Sequence, residues 1–162
     1  MVMAKTKKKK VIGKTQTGGG ELTQSLNLVL ADTYALMAAT HSFHWNVEGP
    51  GFFALHAAFQ EQYEDLFTAA DDIAEQIRQM GDYAVGGLRT LADLARIDEP
   101  KAPMDANDMV AALVTAHEKW ITDAKRARDL ASEAGNTQTE DLMVERLRVH
   151  EKTLWMLKSY LK

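Results

Sequence analysis

Five side chains in the first half of the sequence combine imidazole with carboxylate: His41, His44, His56, Asp71 and Glu75. Asp71 and Glu75 stand four residues apart, which puts them on one face of a helix. Imidazole and carboxylate without thiolate suit iron, zinc or manganese rather than a soft ion. The 162 residues include no cysteine, so thiolate zinc sites, cysteine-ligated iron–sulfur clusters, a disulfide scaffold and a cysteine nucleophile are all excluded. Taken singly, each of the five has an ordinary alternative: a histidine packed in a core, or a carboxylate on a solvated face.

Spacing sharpens the choice. His56 and Asp71 are 15 residues apart on one continuous helical run, or roughly 22 Å at 1.5 Å per residue. Metal–ligand distances are about 2.0–2.2 Å, so these two cannot hold one ion within one chain. Yet at 100° per residue Asp71 lies about 60° and Glu75 about 100° round from His56, on the same broad face, with Tyr63 and Phe67 between them. One arrangement meets all of this. Two chains pack these helices antiparallel about a two-fold axis near Tyr63 to Phe67, and His56 of each faces Asp71 and Glu75 of the other. An isologous interface makes such sites in pairs.

The elements that must position these residues are helical. Leu26, Leu30, Thr33, Met37, His41 and His44 recur at steps of three or four and mark a first helix from Glu21. Gly49-Pro50-Gly51 breaks it. A second helix over Phe52 to Gln79 has Leu55, Phe59, Leu66, Ile73 and Ile77 on its apolar side, and Gly81 ends it. A short amphipathic piece, Leu88 to Ile97, precedes Pro100 and Pro103. Asp105 and Asp108 resemble a capping pair for a third long run, 106 to 134, which stops at Gly135-Asn136. Thr137 with Glu140 reads as a capping box for the last run, to Leu161. Four long helices, one short one and no strand predict an all-α four-helix bundle, with the short helix in the connection between helices two and three.

Charge divides the chain in two. Residues 1–20 hold Lys5, Lys7, Lys8, Lys9, Lys10 and Lys14 and no acid, for +6; the remaining 13 basic and 23 acidic residues leave 21–162 at −10. The first 20 residues read as a disordered arm with a flexible joint at Gly18-Gly19-Gly20. Such an arm binds polyanions by releasing phosphate counterions, or serves only as a solvated or import tail. No run approaches the roughly 18 apolar residues of a membrane span, and no apolar stretch follows the lysines as in a secretory signal.

The stretch His41-Ser42-Phe43-His44-Trp45-Asn46-Val47-Glu48-Gly49, followed by Phe53, Leu55-His56, Tyr63 and Asp71-Asp72-Ile73-Ala74-Glu75-Gln76, resembles the signature of the Dps family, the ferritin-like DNA-protecting proteins of starved bacteria. The helix order and the long connection extend the resemblance over nearly all of 21–162. It implies a ferritin-like bundle assembled as a homo-dodecamer from two-fold dimers, located in the cytoplasm and on the nucleoid. It implies a ferroxidase that takes iron(II), with hydrogen peroxide the favoured oxidant and dioxygen an alternative, and stores ferric mineral in its cavity. The family's catalytic metal ligands fall on His44 and His56 of one subunit and Asp71 and Glu75 of its mate, the pairing that helix rise also gives. Zinc is a possible substitute at such a site.

The resemblance carries further expectations. Trp45 adjoins the centre, or simply packs at a helix end. The family usually has an acid four residues after the second histidine, where Gln60 stands here. A neutral amide is the weaker ligand, so one metal position is expected to be well occupied and the other weak, with Glu64, water or less readily Glu61 compensating. Glu133, Glu140 and Asp141 correspond to a region that lines three-fold pores, with Asn136 where an acid often stands; acids at a helix start also complement its dipole. The lysine-rich arm is expected to bind DNA without sequence preference. Two alternatives follow: a DNA-compacting protein whose metal centre has weakened, which Gln60 motivates, and an iron store whose tail does not bind DNA.

Overall fold

The computed structural model describes residues 20–101 and 103–162. Five helices follow in order: α1 (Glu21–Asn46), α2 (Phe52–Gln79), α3 (Leu88–Leu94), α4 (Ala106–Glu133) and α5 (Thr137–Tyr160), with no strand among the described residues. The chain is thus all-α, as expected. The lysine arm lies outside the described residues.

Two antiparallel hairpins, α1–α2 and α4–α5, join through the α1–α4 contact, and α3 lies against α1. The expected apolar stripes face inward: Leu26, Leu30 and Thr33 of α1 and Leu55, Phe59, Leu66, Ile73 and Ile77 of α2 are all buried. Phe59, Ile73, Ile77, Leu113, Trp120 and Met143 are fully enclosed. Each such side chain contributes about 1.5–3 kcal/mol by leaving water.

Helix ends are set by backbone chemistry. Gly81 and Gly135 adopt positive φ, 91° and 66°, which favours glycine. Behind them the Asp82 and Asn136 N–H groups reach back to the carbonyls of Ile77 and Ala131, closing α2 and α4. Asp105 caps α4 by accepting from the Asp108 N–H at 2.9 Å. At α5 the expected box is corrected. The cap is Asn136, whose side chain accepts from the Thr139 N–H at 3.1 Å, and Thr137 is already the first helical residue. The short helix also ends earlier than expected, at Leu94 rather than Ile97. The reason is tertiary: the buried Asp32 carboxylate of α1 accepts the N–H groups of Arg96 (2.6 Å) and Ile97 (3.2 Å), which pulls that backbone out of helix.

A polar cluster sits inside the bundle. His117 of α4 and His150 of α5 hydrogen-bond through their Nδ1 atoms at 3.0 Å, and Trp120 stacks on His150 at 3.4 Å while its indole N–H donates to Thr33. Arg146 grips Asp65 of α2 with both terminal nitrogens, at 3.0 and 2.5 Å. Burial, with the Arg146 charge adding to it, depresses the His117 pKa to about 4, and burial likewise depresses His150.

Candidate metal centre

The site is built where α1 ends and α2 begins. Val47, buried and extended, closes α1 through its N–H to the Phe43 carbonyl, and Gly49 at φ 98° turns the chain. Five residues after Gly51, His56 comes to lie beside His44.

The two histidines lock one another. The His44 Nδ1 meets the His56 carbonyl at 2.9 Å, and the His56 Nδ1 meets the His44 carbonyl at 2.8 Å. A carbonyl only accepts, so each Nδ1 carries the hydrogen and each Nε2 is left with its lone pair. The His44 carbonyl falls in the last turn of α1, where it has no helical partner of its own. The rings stack at 3.8 Å between centroids. This is the arrangement that prepares imidazole for a metal: one nitrogen oriented by a carbonyl, the other a free base.

Aromatic rings surround the pair. Phe52 stacks on His56 at 5.0 Å, and Tyr63 meets His44 edge-on at 5.3 Å. His41 stacks on Tyr63 at 4.1 Å and packs against Trp45 at 4.1 Å. Trp45 itself is 65% exposed.

Asp71 and Glu75 are exposed further along α2, and neither forms an ion pair or hydrogen bond among the described residues. One continuous helix separates them from His56, so the chain brings together His44 and His56 and does not bring Asp71 or Glu75 to them. No cluster of three or more His, Asp or Glu forms within the single chain among the described residues. Gln60 is exposed on α2, and its amide donates to Glu64 at 2.8 Å. Glu133 and Asp141 are exposed and Glu140 half-buried around the α4–α5 turn.

Sequence reasoning missed the buried groups. His117 and His150 lie on the apolar stripes of α4 and α5, and Asp32 on that of α1. A charged or titratable residue in register with an apolar stripe was the available signal.

The chain matches the ferritin-like domain family over residues 23–162. It is 35% identical over 153 residues to a low-temperature-induced protein of Nostoc, covering 93% of this chain and 86% of that one. It is 32% identical over 141 residues to DNA protection during starvation protein 2 of Bacillus anthracis, covering 87% and 97%. Among solved structures, the Dps protein of Vibrio cholerae O1, described as a ferritin-like diiron-carboxylate protein, superposes with a TM-score of 0.84 at 32% identity, covering 88% and 89%.

Proposed function

The chain belongs to the Dps family of ferritin-like proteins, and from that premise we propose that it takes iron(II) as substrate, oxidises it and stores the ferric product inside a shell of its own copies, while protecting DNA. The reading rests above all on the reciprocal His44–His56 lock, which leaves two Nε2 lone pairs ready for a borderline cation.

In the proposed centre His44 and His56 of one subunit and Asp71 and Glu75 of its two-fold mate hold the iron. The exposure of that face supports this: Phe53, 86% exposed, and Phe67, 64% exposed, lie on the ligand-bearing side of α2 and would be covered by a mate. Two iron(II) ions each give one electron to hydrogen peroxide, the favoured oxidant, and with two protons it leaves as two waters. Pairing the electrons avoids the hydroxyl radical that a single iron(II) would release. Gln60 brings no charge, so one metal position is tight and the other weak, and Glu64, held by Gln60, is the nearest added carboxylate on the same face. Zinc competes for the same ligands.

The remaining parts are proposed on sequence and family. Twelve subunits assemble from two-fold dimers; Glu133, Glu140 and Asp141 draw cations through three-fold pores; the six arm lysines bind DNA without sequence preference, on the nucleoid in the cytoplasm. Among the described residues no helix is long and apolar enough to cross a membrane.

Subunit complementation tests the shared centre. Chains carrying His44→Ala with His56→Ala are co-assembled with chains carrying Asp71→Ala with Glu75→Ala. A mixed pair has one pocket with all four ligands, so random pairing restores about a quarter of wild-type peroxide-driven iron oxidation. No recovery on mixing, or full activity in either parent alone, refutes the shared site. Only uncatalysed oxidation by the wild type itself would favour the DNA-compacting alternative.

A further inference from the structure

His41 stands one turn before His44 on α1. Because α1 and α2 run antiparallel, levels along them pair in opposite order. His44 is level with His56, where each Nδ1 meets the other's carbonyl, and His41 is level with Tyr63, on which it stacks at 4.1 Å. Gln60 lies between His56 and Tyr63 on the same side of α2. The level at which α2 offers a neutral amide is therefore the level beside which α1 offers a third imidazole. His41 is half-buried, and its ring makes no hydrogen bond among the described residues. Its two neighbours, Tyr63 and Trp45, fix it through ring packing alone, which leaves both nitrogens uncommitted.

We propose that His41 is a further metal ligand, supplying an imidazole nitrogen to the weak position that Gln60 leaves short of a donor. The inference rests on the reading of His44 and His56 as ligands. The His41 and His44 ring centroids are 6.2 Å apart. Imidazole nitrogen binds at about 2.0–2.1 Å, and paired-metal sites hold their ions about 3.5–4 Å apart, so rings at this separation suit two neighbouring ions. Replacing carboxylate by imidazole also changes selectivity. The weak position should take zinc, cobalt and iron(II), and should discriminate against magnesium and calcium more than a carboxylate-rich position does.

The test uses the assembled full-length protein without oxidant, titrated with zinc alone by calorimetry and with cobalt(II) alone by its visible absorption. The wild type should show a tight and a weak class of site. His41→Phe preserves the ring stack on Tyr63 and should weaken the second class by about tenfold or more, leaving the tight class intact. Restoring a carboxylate with Gln60→Glu in the His41→Phe background should recover the weak class. His41→Asn, checked for helicity and assembled size, serves if the phenylalanine variant fails to assemble. If His41→Phe binds both classes as the wild type does while His44→Ala abolishes the tight class, His41 only packs and this inference is overturned with the site reading intact. If His44→Ala also leaves both classes unchanged, the site reading itself fails and takes His41 with it.

Discussion

Acid should loosen this fold through one buried pair. His117 is 2% exposed, and its pKa falls from 6.5 to about 4 because burial, and then the Arg146 charge, oppose its protonation. Its partner His150, 1% exposed, is displaced in the same direction by burial, His117 and Arg146. The unfolded chain therefore binds protons that the folded chain refuses. The stability contributed by a neutral His117 is complete above the unfolded value and is lost as the pH falls from about 6.5 towards 4. At 1.36 kcal/mol per pKa unit, His117 alone accounts for about 2 kcal/mol lost by about pH 5 and about 3 by about pH 4, and His150 adds to it. Asp65 pairs with Arg146, yet the guanidinium charge still acts on both histidines. The assay is urea unfolding at a fixed subunit concentration across this range, for the wild type and His117→Phe. The variant's absolute stability is not the readout; its slope against pH is, and it should be shallower by roughly one proton. Parallel slopes for the two proteins would refute the claim that His117 stays neutral inside the bundle.

Three further outcomes are expected. Asp32, buried on α1, has its pKa raised from 3.8 to about 6 by burial, with the facing Asp123 adding to it against the N–H groups of Arg96 and Ile97. For a raised acid the sign is opposite: stability is full below the unfolded value and is lost as the pH rises through about 6, up to about 3 kcal/mol. Asp32→Asn keeps the acceptor for both N–H groups, so in thermal melts it should gain on the wild type between about pH 4 and about pH 6 and hold that gain at higher pH. Trp120→Ala should cost about 3–5 kcal/mol in urea unfolding, since the ring is fully buried against His150 and tied to Thr33. Deleting residues 1–20 should abolish DNA gel shifts at low salt and leave iron oxidation unchanged, whereas the full chain's binding should fall steeply with salt; a truncated protein that still shifts DNA would remove the arm from the account.

How far the sequence carried differed by the range of the forces involved. The bounds of α2, Phe52–Gln79, were legible because Gly49-Pro50-Gly51 and Gly81 are local backbone signals. The early end of α3 was not, because Asp32 acts on Ile97 from 65 positions away. The α5 cap was misplaced by one residue because Asn136 and Thr137 are both good capping types, and only the observed hydrogen bond to Thr139 separates them. Histidine spacing pointed to His44 and His56, yet their exchange of carbonyl contacts depends on how two helices dock. The His117–His150 pair has no motif at all: its residues sit 33 apart on different helices and meet only through packing.

Crystals of the assembled protein soaked with iron(II) and measured at the iron absorption edge bear most directly on the two-chain centre. The account predicts a strong anomalous peak bound by His44 and His56 of one subunit and Asp71 and Glu75 of its mate, beside a weaker one near Gln60. A monomeric chain, or an assembly in which the His56 imidazole lies far from every neighbouring Glu75, would contradict it.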